Sequence, residues 1–159
     1  MMWTNFRGVV VLATLLVGCS PNSGIPPEYE SFLRKAPIER QRGFRERPLS
    51  AQVELYLLAA TKLKPPDRSL APILASNGRA AVPVLRAALE SQREDRRKAD
   101  LLYVFLEMQE GHYYDVAGDE ELMTILRQHV DSMKDGEPKS WSRGYLEGIL
   151  EDAHWGKVR

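Results

Sequence analysis

Residues 79–110 read RAAVPVLRAALESQREDRRKADLLYVFLEMQE, and this stretch decides the fold. Two runs of apolar residues recur at the i, i+4, i+7 spacing of one helix face: Ala81, Leu85 and Ala88 in the first half, and Leu101, Phe105 and Met108 in the second. Because Pro83 has no N–H, it is tolerated only in a first turn, so the first helix begins close to Ala80. The stretch therefore predicts two antiparallel helices joined by a charged turn.

The ends of these two helices carry capping signals. Ser91 and Glu94 have the spacing of a capping box for the second helix, and Asp95 is a second candidate N-cap. A single helical hairpin cannot cover its own apolar face, so neighbouring helices must stack on it.

The remaining chain is also helical in pattern. Ser50 is a suitable N-cap for a helix through about Lys62, and Ser69 caps a short helix that Asn77 and Gly78 close in a left-handed turn. Two more helices follow residue 118, and no strand-like alternation of useful length is present. The predicted fold class is all-α, with stacked antiparallel hairpins and roughly six or seven helices.

One segment of this pattern resembles a known repeat. Residues 81–85 (AVPVL), the charged turn at 94–98 and the apolar helix that follows resemble one HEAT-type repeat, over about thirty residues. The resemblance implies a HEAT-like helical stack. Because HEAT-type domains usually act as interaction scaffolds, it also implies a role in binding other proteins.

The N-terminus reads as a targeting segment. Arg7 precedes an apolar run at residues 8–17, which is too short to span a bilayer, and the run ends in Leu16-Val17-Gly18-Cys19. This ending resembles the lipobox of bacterial lipoproteins. The resemblance implies cleavage before Cys19, lipidation of its thiol and acylation of its new amine. Two or three acyl chains anchor a protein stably in a membrane.

This interpretation divides the chain into a signal peptide at 1–18, a lipidated cysteine with a flexible tether at 19–27, and a helical domain at 28–159. Ser20 and Pro21 follow the cysteine, with no aspartate beside it. By resemblance to enterobacterial sorting, this favours the outer membrane, with the domain facing the periplasm.

The amino-acid composition limits the classes of binding partner that the protein attracts. Lysine and arginine total 22 and aspartate and glutamate total 22, so no overall field attracts nucleic acid. The single cysteine leaves no intrachain disulfide. Residues 34–47 are rich in arginine. This stretch either faces anionic headgroups or an acidic partner, or is a solvated loop, or lies on the acidic half of its own domain.

No catalytic signature is present. The sequence has no Gly-x-Ser-x-Gly elbow and no glycine-rich phosphate loop, so neither catalytic residues nor a cofactor are predicted. The chemical alternative is a metal-binding or enzymatic protein that uses the loop from His112 to Asp119 together with His129. His112, Asp115, Asp119 and His129 are suitable ligand types, but their spacing matches no compact motif, so no metal site is predicted.

A binding surface is the favoured prediction. Residues 101–126 contain no lysine or arginine, several acids, and two adjacent tyrosines in a loop. Tyrosine is enriched at contact surfaces, and acidic groups steer basic partners. The predicted partner-binding residues are Tyr113, Tyr114, Asp115, Asp119 and Glu120. The alternative is that the tyrosines pack under the adjoining helices.

The sequence thus predicts a lipid-anchored periplasmic protein-interaction module without catalysis. It is expected to be anchored to the membrane through lipid on Cys19 and to bind a partner protein. Two related alternatives remain open: an inhibitor or immunity-type lipoprotein that neutralises a secreted toxin, and an accessory role in envelope assembly.

Overall fold

The computed structural model describes residues 25–156 of the chain, with side chains to residue 153. This part contains eight α-helices, one 3-10 turn at Gly78–Ala80 and no strand. The eight helices are α1 (Pro27–Leu33), α2 (Pro37–Arg45), α3 (Leu49–Lys62), α4 (Ala71–Ala75), α5 (Val82–Ser91), α6 (Asp95–Glu110), α7 (Glu120–Ser132) and α8 (Glu137–Gly156). The all-α prediction is confirmed. Helix α2 was not predicted, because residues 37–45 show no helical pattern of apolar residues.

Helix α2 forms in the arginine-rich stretch, where a proline favours its start and a buried phenylalanine packs it against the domain. Pro37 stands at its first turn, where a missing N–H costs nothing, and Phe44 is fully buried. Arg40 pairs with Asp67 at 2.8 Å, and both side chains are largely covered. At least this arginine therefore lies against an acid of its own domain.

The predicted central hairpin is confirmed as α5 and α6. Leu85 of α5 is fully buried, as are Leu101, Phe105 and Met108 of α6. Helix α6 lies at the centre, where it contacts α3, α4, α5 and, most extensively, α8. Burying a large apolar side chain of this kind contributes about 1.5–3 kcal/mol.

Helices α6 and α8 run parallel, side by side. The rings of Tyr103 and Tyr145 lie 5.4 Å apart, and further along both helices Gln109 Nε2 donates to Asp152 Oδ2 at 3.1 Å. Helix α7 connects them by running back from the end of α6 towards its start. Lys134 N, just past the end of α7, donates to Asp95 at the start of α6. Both parallel helices therefore begin at one end of the domain and finish at the other.

Several predicted helix caps are wrong. The Ser91 hydroxyl donates to Ala88 O inside α5, and Glu94 stands at the N-cap of α6 without a side-chain cap bond. Asp95 accepts from Lys134 N rather than from its own helix. Ser50 is already inside α3, which begins at Leu49. Pro48 stands at the N-cap and makes no side-chain cap bond.

The short helix also starts differently from the prediction. Its N-cap is Leu70, and Ser69 instead donates its backbone N–H to Asp67 Oδ1 at 2.9 Å. Gly78 has the expected left-handed backbone, with φ +55°. The left-handed turn at Gly78 was therefore predicted correctly, but the helix itself ends earlier, at Ala75, with Ser76 as its C-cap in a right-handed conformation.

The predicted signal peptide and Cys19 lie outside the described residues. Between residues 25 and 156, no helix combines the length and the apolar character needed to cross a membrane.

Candidate functional site: the loop between α6 and α7

The loop at residues 111–119 is tied to α6 by backbone and side-chain hydrogen bonds. Tyr113 N and Tyr114 N both donate to Met108 O, at 2.9 and 3.3 Å. Gln109, which is buried, accepts from Ala117 N at 3.0 Å with its amide oxygen and donates to Asp152 with its amide nitrogen. One glutamine thus joins the loop to both parallel helices, and the loop has a defined conformation.

Two glycines allow the chain to place Tyr113. A Cβ on Gly78 would lie 2.6 Å from the carbonyl oxygen of Tyr113, so only glycine permits this close approach. A Cβ on Gly111 would overlap Cε2 of the Tyr113 ring and would lie 2.9 Å from Glu107 O. The backbone and the ring of Tyr113 are therefore each held against a position that has no side chain.

Tyr113 itself remains available to a partner. Its side chain is 47% exposed, and only Ile38 and Leu150 are comparable among large apolar residues of the described chain. Asp115, within the loop, and Glu120, at the start of α7, are also exposed. Three of the five predicted binding residues therefore lie on the surface.

The other two predicted residues fasten the loop to α7. Tyr114 is half-buried against the core, and its hydroxyl donates to Asp119 Oδ2 at 2.6 Å. Asp119 Oδ1 accepts from Leu122 N at 3.0 Å, which caps α7. These two bonds, from Tyr114 first and Leu122 second, lower the pKa of Asp119, and the bond to Asp119 raises the pKa of Tyr114. Both residues have a structural role here.

Acidic groups surround the loop at this end of the domain. Glu110 at the end of α6 has a raised pKa because it is partly buried and because Glu107 and Asp152 lie near it. Glu121 pairs with Arg86 at 3.0 Å across to α5. Arg86 and Arg79 both lie close enough to Asp119 to help lower its pKa, so the acids at this end are partly neutralised.

His112 adopts a left-handed backbone with φ +54°, the one non-glycine residue in the described chain with positive φ. Its N–H donates to Gln109 O at 3.0 Å, and its side chain is exposed. A non-glycine residue in this region costs about 1–2 kcal/mol. The loop therefore stores strain beside its exposed tyrosine.

The histidine–aspartate set proposed as a metal-binding alternative does not converge. His129 lies ten residues beyond Asp119 along the α7 segment, about 15 Å at helical rise. It is half-buried, and burial followed by the charge of Lys98 lowers its pKa. In the part of the chain that the structure describes, no three histidine, cysteine, aspartate or glutamate side chains are placed to hold a metal ion.

Sequence reasoning missed two buried polar residues, Asp100 and Gln109. Asp100 is fully buried, and its Oδ1 accepts from Arg68 at 2.7 and 3.0 Å. A signal for it existed, because Asp100, Val104 and Met108 follow one another at i+4 on a single stripe of α6. An acid on such a stripe indicates a buried charge pair.

The chain matches no protein-family model, no curated protein and no solved structure. The resemblances to a lipoprotein signal and to a HEAT-type repeat therefore rest on the residues quoted above, and function has to be argued from the loop and its surroundings.

Proposed function

We propose that this chain is a non-catalytic protein-interaction module, anchored by lipid at Cys19 to the bacterial envelope, that binds a partner protein through the loop between α6 and α7. One observation carries the proposal: Tyr113 is 47% exposed on a backbone fixed by hydrogen bonds and by two glycine contacts. Tyrosine of this kind is the residue type that anchors protein interfaces.

A fixed loop favours binding for an energetic reason. Ordering a mobile side chain at an interface costs about 0.5–1.5 kcal/mol, and a loop ordered in advance avoids much of this cost. The strained backbone of His112 is consistent with a functional loop, because such strain is concentrated at sites that bind or react.

The loop also lies far from Pro26, near the end of the predicted tether. Pro26, near the tether, and Arg97, near the start of α6, line the same groove of about 470 Å³. Arg97 and Glu110 are thirteen residues apart on α6, which is about 20 Å. A domain tethered through residues 19–27 would therefore carry Tyr113 at the end away from its attachment, where a second protein has access.

The charge at this end selects the kind of partner. Asp115 and Glu120 are exposed beside Tyr113, and Glu110 adds a further acid. Acidic groups around an aromatic anchor speed association with a basic protein surface. A basic secreted toxin, as in the inhibitor hypothesis, is one partner of this kind.

The test is capture of partners from envelope extract with the acylated protein and two variants. Tyr113→Ala removes the exposed ring, and Ile38→Ala removes an equally apolar exposed side chain on α2, which is 69% exposed. We expect one protein to be recovered with wild type and Ile38→Ala and lost with Tyr113→Ala. Equal recovery with all three proteins, or no specific recovery with any, would contradict the proposal.

The anchor is tested separately by growing cells with an alkyne fatty acid. We expect the wild-type protein to incorporate the label and to fractionate with membranes. Cys19→Ala should lose both properties, because the variant has no thiol to acylate. A wild-type protein without label would contradict the lipid anchor, and the proposed binding surface at Tyr113 would then not depend on it.

A further inference from the structure

A second polar cluster lies at the opposite end of α6 from the loop, between α6 and α8. Asp100 is fully buried there, and Arg68 donates two hydrogen bonds to its Oδ1. A third guanidinium nitrogen of Arg68 donates to the Tyr145 hydroxyl at 3.2 Å. All three guanidinium nitrogens of Arg68 therefore donate within the domain, and its charge neutralises Asp100, the one carboxylate of this cluster.

Arg96 shares the same carboxylate but is held loosely by it. Its Nε lies 3.6 Å from Asp100 Oδ2, which is too long for a hydrogen bond, and that oxygen has no hydrogen-bond partner. The guanidinium carbon lies 4.5 Å from the centre of the Trp141 ring. Within the described residues, no group accepts a hydrogen bond from the Arg96 guanidinium, and its side chain is 38% exposed.

These positions leave a surplus charge with a fixed orientation. Two guanidinium groups face one carboxylate, so the cluster carries one net positive charge. Stacking on an aromatic ring orients the plane of an arginine and leaves the N–H groups at its edge free to donate. Such a planar edge matches the two oxygens of a carboxylate.

We propose that Arg96, stacked on Trp141, is a recognition site for a carboxylate side chain of an acidic polypeptide. The site is distinct from the Tyr113 loop. It binds a negatively charged group, whereas the loop is proposed to bind a basic surface. A bilayer surface is a poorer match, because attraction to anionic lipid requires a cluster of several cations. The displacement experiment below separates these two occupants.

The test measures anisotropy of a fluorescent hexaglutamate peptide with the full-length protein at low salt. We expect Arg96→Gln to weaken binding about tenfold, because the variant loses the charge and the planar donors of the guanidinium. Arg93→Gln is the matched control. Arg93 is exposed one turn earlier in the sequence and has no described contact with a ring, so its loss should change affinity less than about twofold.

Arg96→Lys separates charge from shape. It keeps the positive charge but has no planar edge, so it should bind as weakly as Arg96→Gln. Thermal melting of each variant checks that the fold is intact. Unchanged peptide binding by Arg96→Gln, or no peptide binding by the wild type, would overturn the proposal. Stronger displacement of the peptide by dihexanoyl phosphatidylglycerol than by unlabelled peptide would assign the site to lipid phosphate and would also overturn it.

Discussion

At the scale of single residues, Asp100 joins several parts of the domain. It is fully buried, and it connects α6 to the α3–α4 connection through Arg68. Its backbone oxygen accepts from the buried Tyr56 hydroxyl at 2.9 Å, so the same residue also joins α3. A buried charge pair of this kind adds little net stability over an apolar pair, but the loss of one member is costly.

Asp100→Ala should therefore destabilise the domain by about 3–5 kcal/mol, because Arg68 would remain partly buried without a counter-charge. The measurement is urea unfolding followed by circular dichroism. The matched control is Glu30→Ala, which breaks the exposed ion pair with Arg34 and should cost about 0.3–0.5 kcal/mol. Similar losses for the two variants would mean that Asp100 is not a buried ionic contact.

His129 makes stability depend on pH. Burial lowers its pKa below the ordinary 6.5, Lys98 lowers it further, and Glu90 opposes the change. A base with a lowered folded-state pKa binds more protons when unfolded, so its contribution is complete above pH 6.5 and is lost as the pH falls below that value. The melting temperature should fall between pH 7.5 and 5.5, and less so in His129→Gln. An identical fall in both proteins would exclude His129 as the cause.

At the scale of elements, α6 organises the domain, and it was the most predictable part of the sequence. Its apolar residues recur with the 3.6-residue period from Ala99 to Met108, over about three turns, and a long periodic signal survives local exceptions. Leu101, Phe105 and Met108 are all fully buried, as that period requires.

Leu101→Ala should cost about 2–5 kcal/mol, because the truncation leaves a cavity in the centre of the core. Unfolding by urea gives the value directly. Leu150→Ala is the control, because Leu150 lies on α8 but is 44% exposed, so its truncation should cost less than about 1 kcal/mol. A loss below about 1 kcal/mol for Leu101→Ala would place α6 outside the core.

Local features were less predictable for physical reasons. Ser91 and Glu94 have capping-box spacing, but the last turn of α5 already uses the Ser91 hydroxyl, and a short motif does not show which helix it serves. Helix α2 escaped the pattern because its apolar anchor is mainly Phe44, and one buried residue gives no period.

The composition predicted a loop between α6 and α7, which the structure contains, but its two tyrosines could not be told apart. Tyr113 and Tyr114 are adjacent and chemically identical, and a loop has no period from which to read which side faces out. Only the contacts with Gly111 and Asp119 separate the exposed ring from the fastened one. The Arg96–Trp141 stack was likewise invisible, because its members are 45 positions apart in the chain.

At the scale of the whole molecule, the parallel helices α6 and α8 give the domain two different ends. One end carries the exposed Tyr113 among acids, and the other carries the stacked guanidinium of Arg96. Two such ends offer separate surfaces for the protein partners that we propose.

The most direct measurement places a photo-crosslinking amino acid, p-benzoylphenylalanine, at position 113 in living cells, with position 38 as the matched exposed control. We expect one discrete adduct from position 113 and none of the same size from position 38, because the partner contacts the loop between α6 and α7. No adduct at position 113, or the same adduct from both positions, would contradict the claim that this loop is the binding surface.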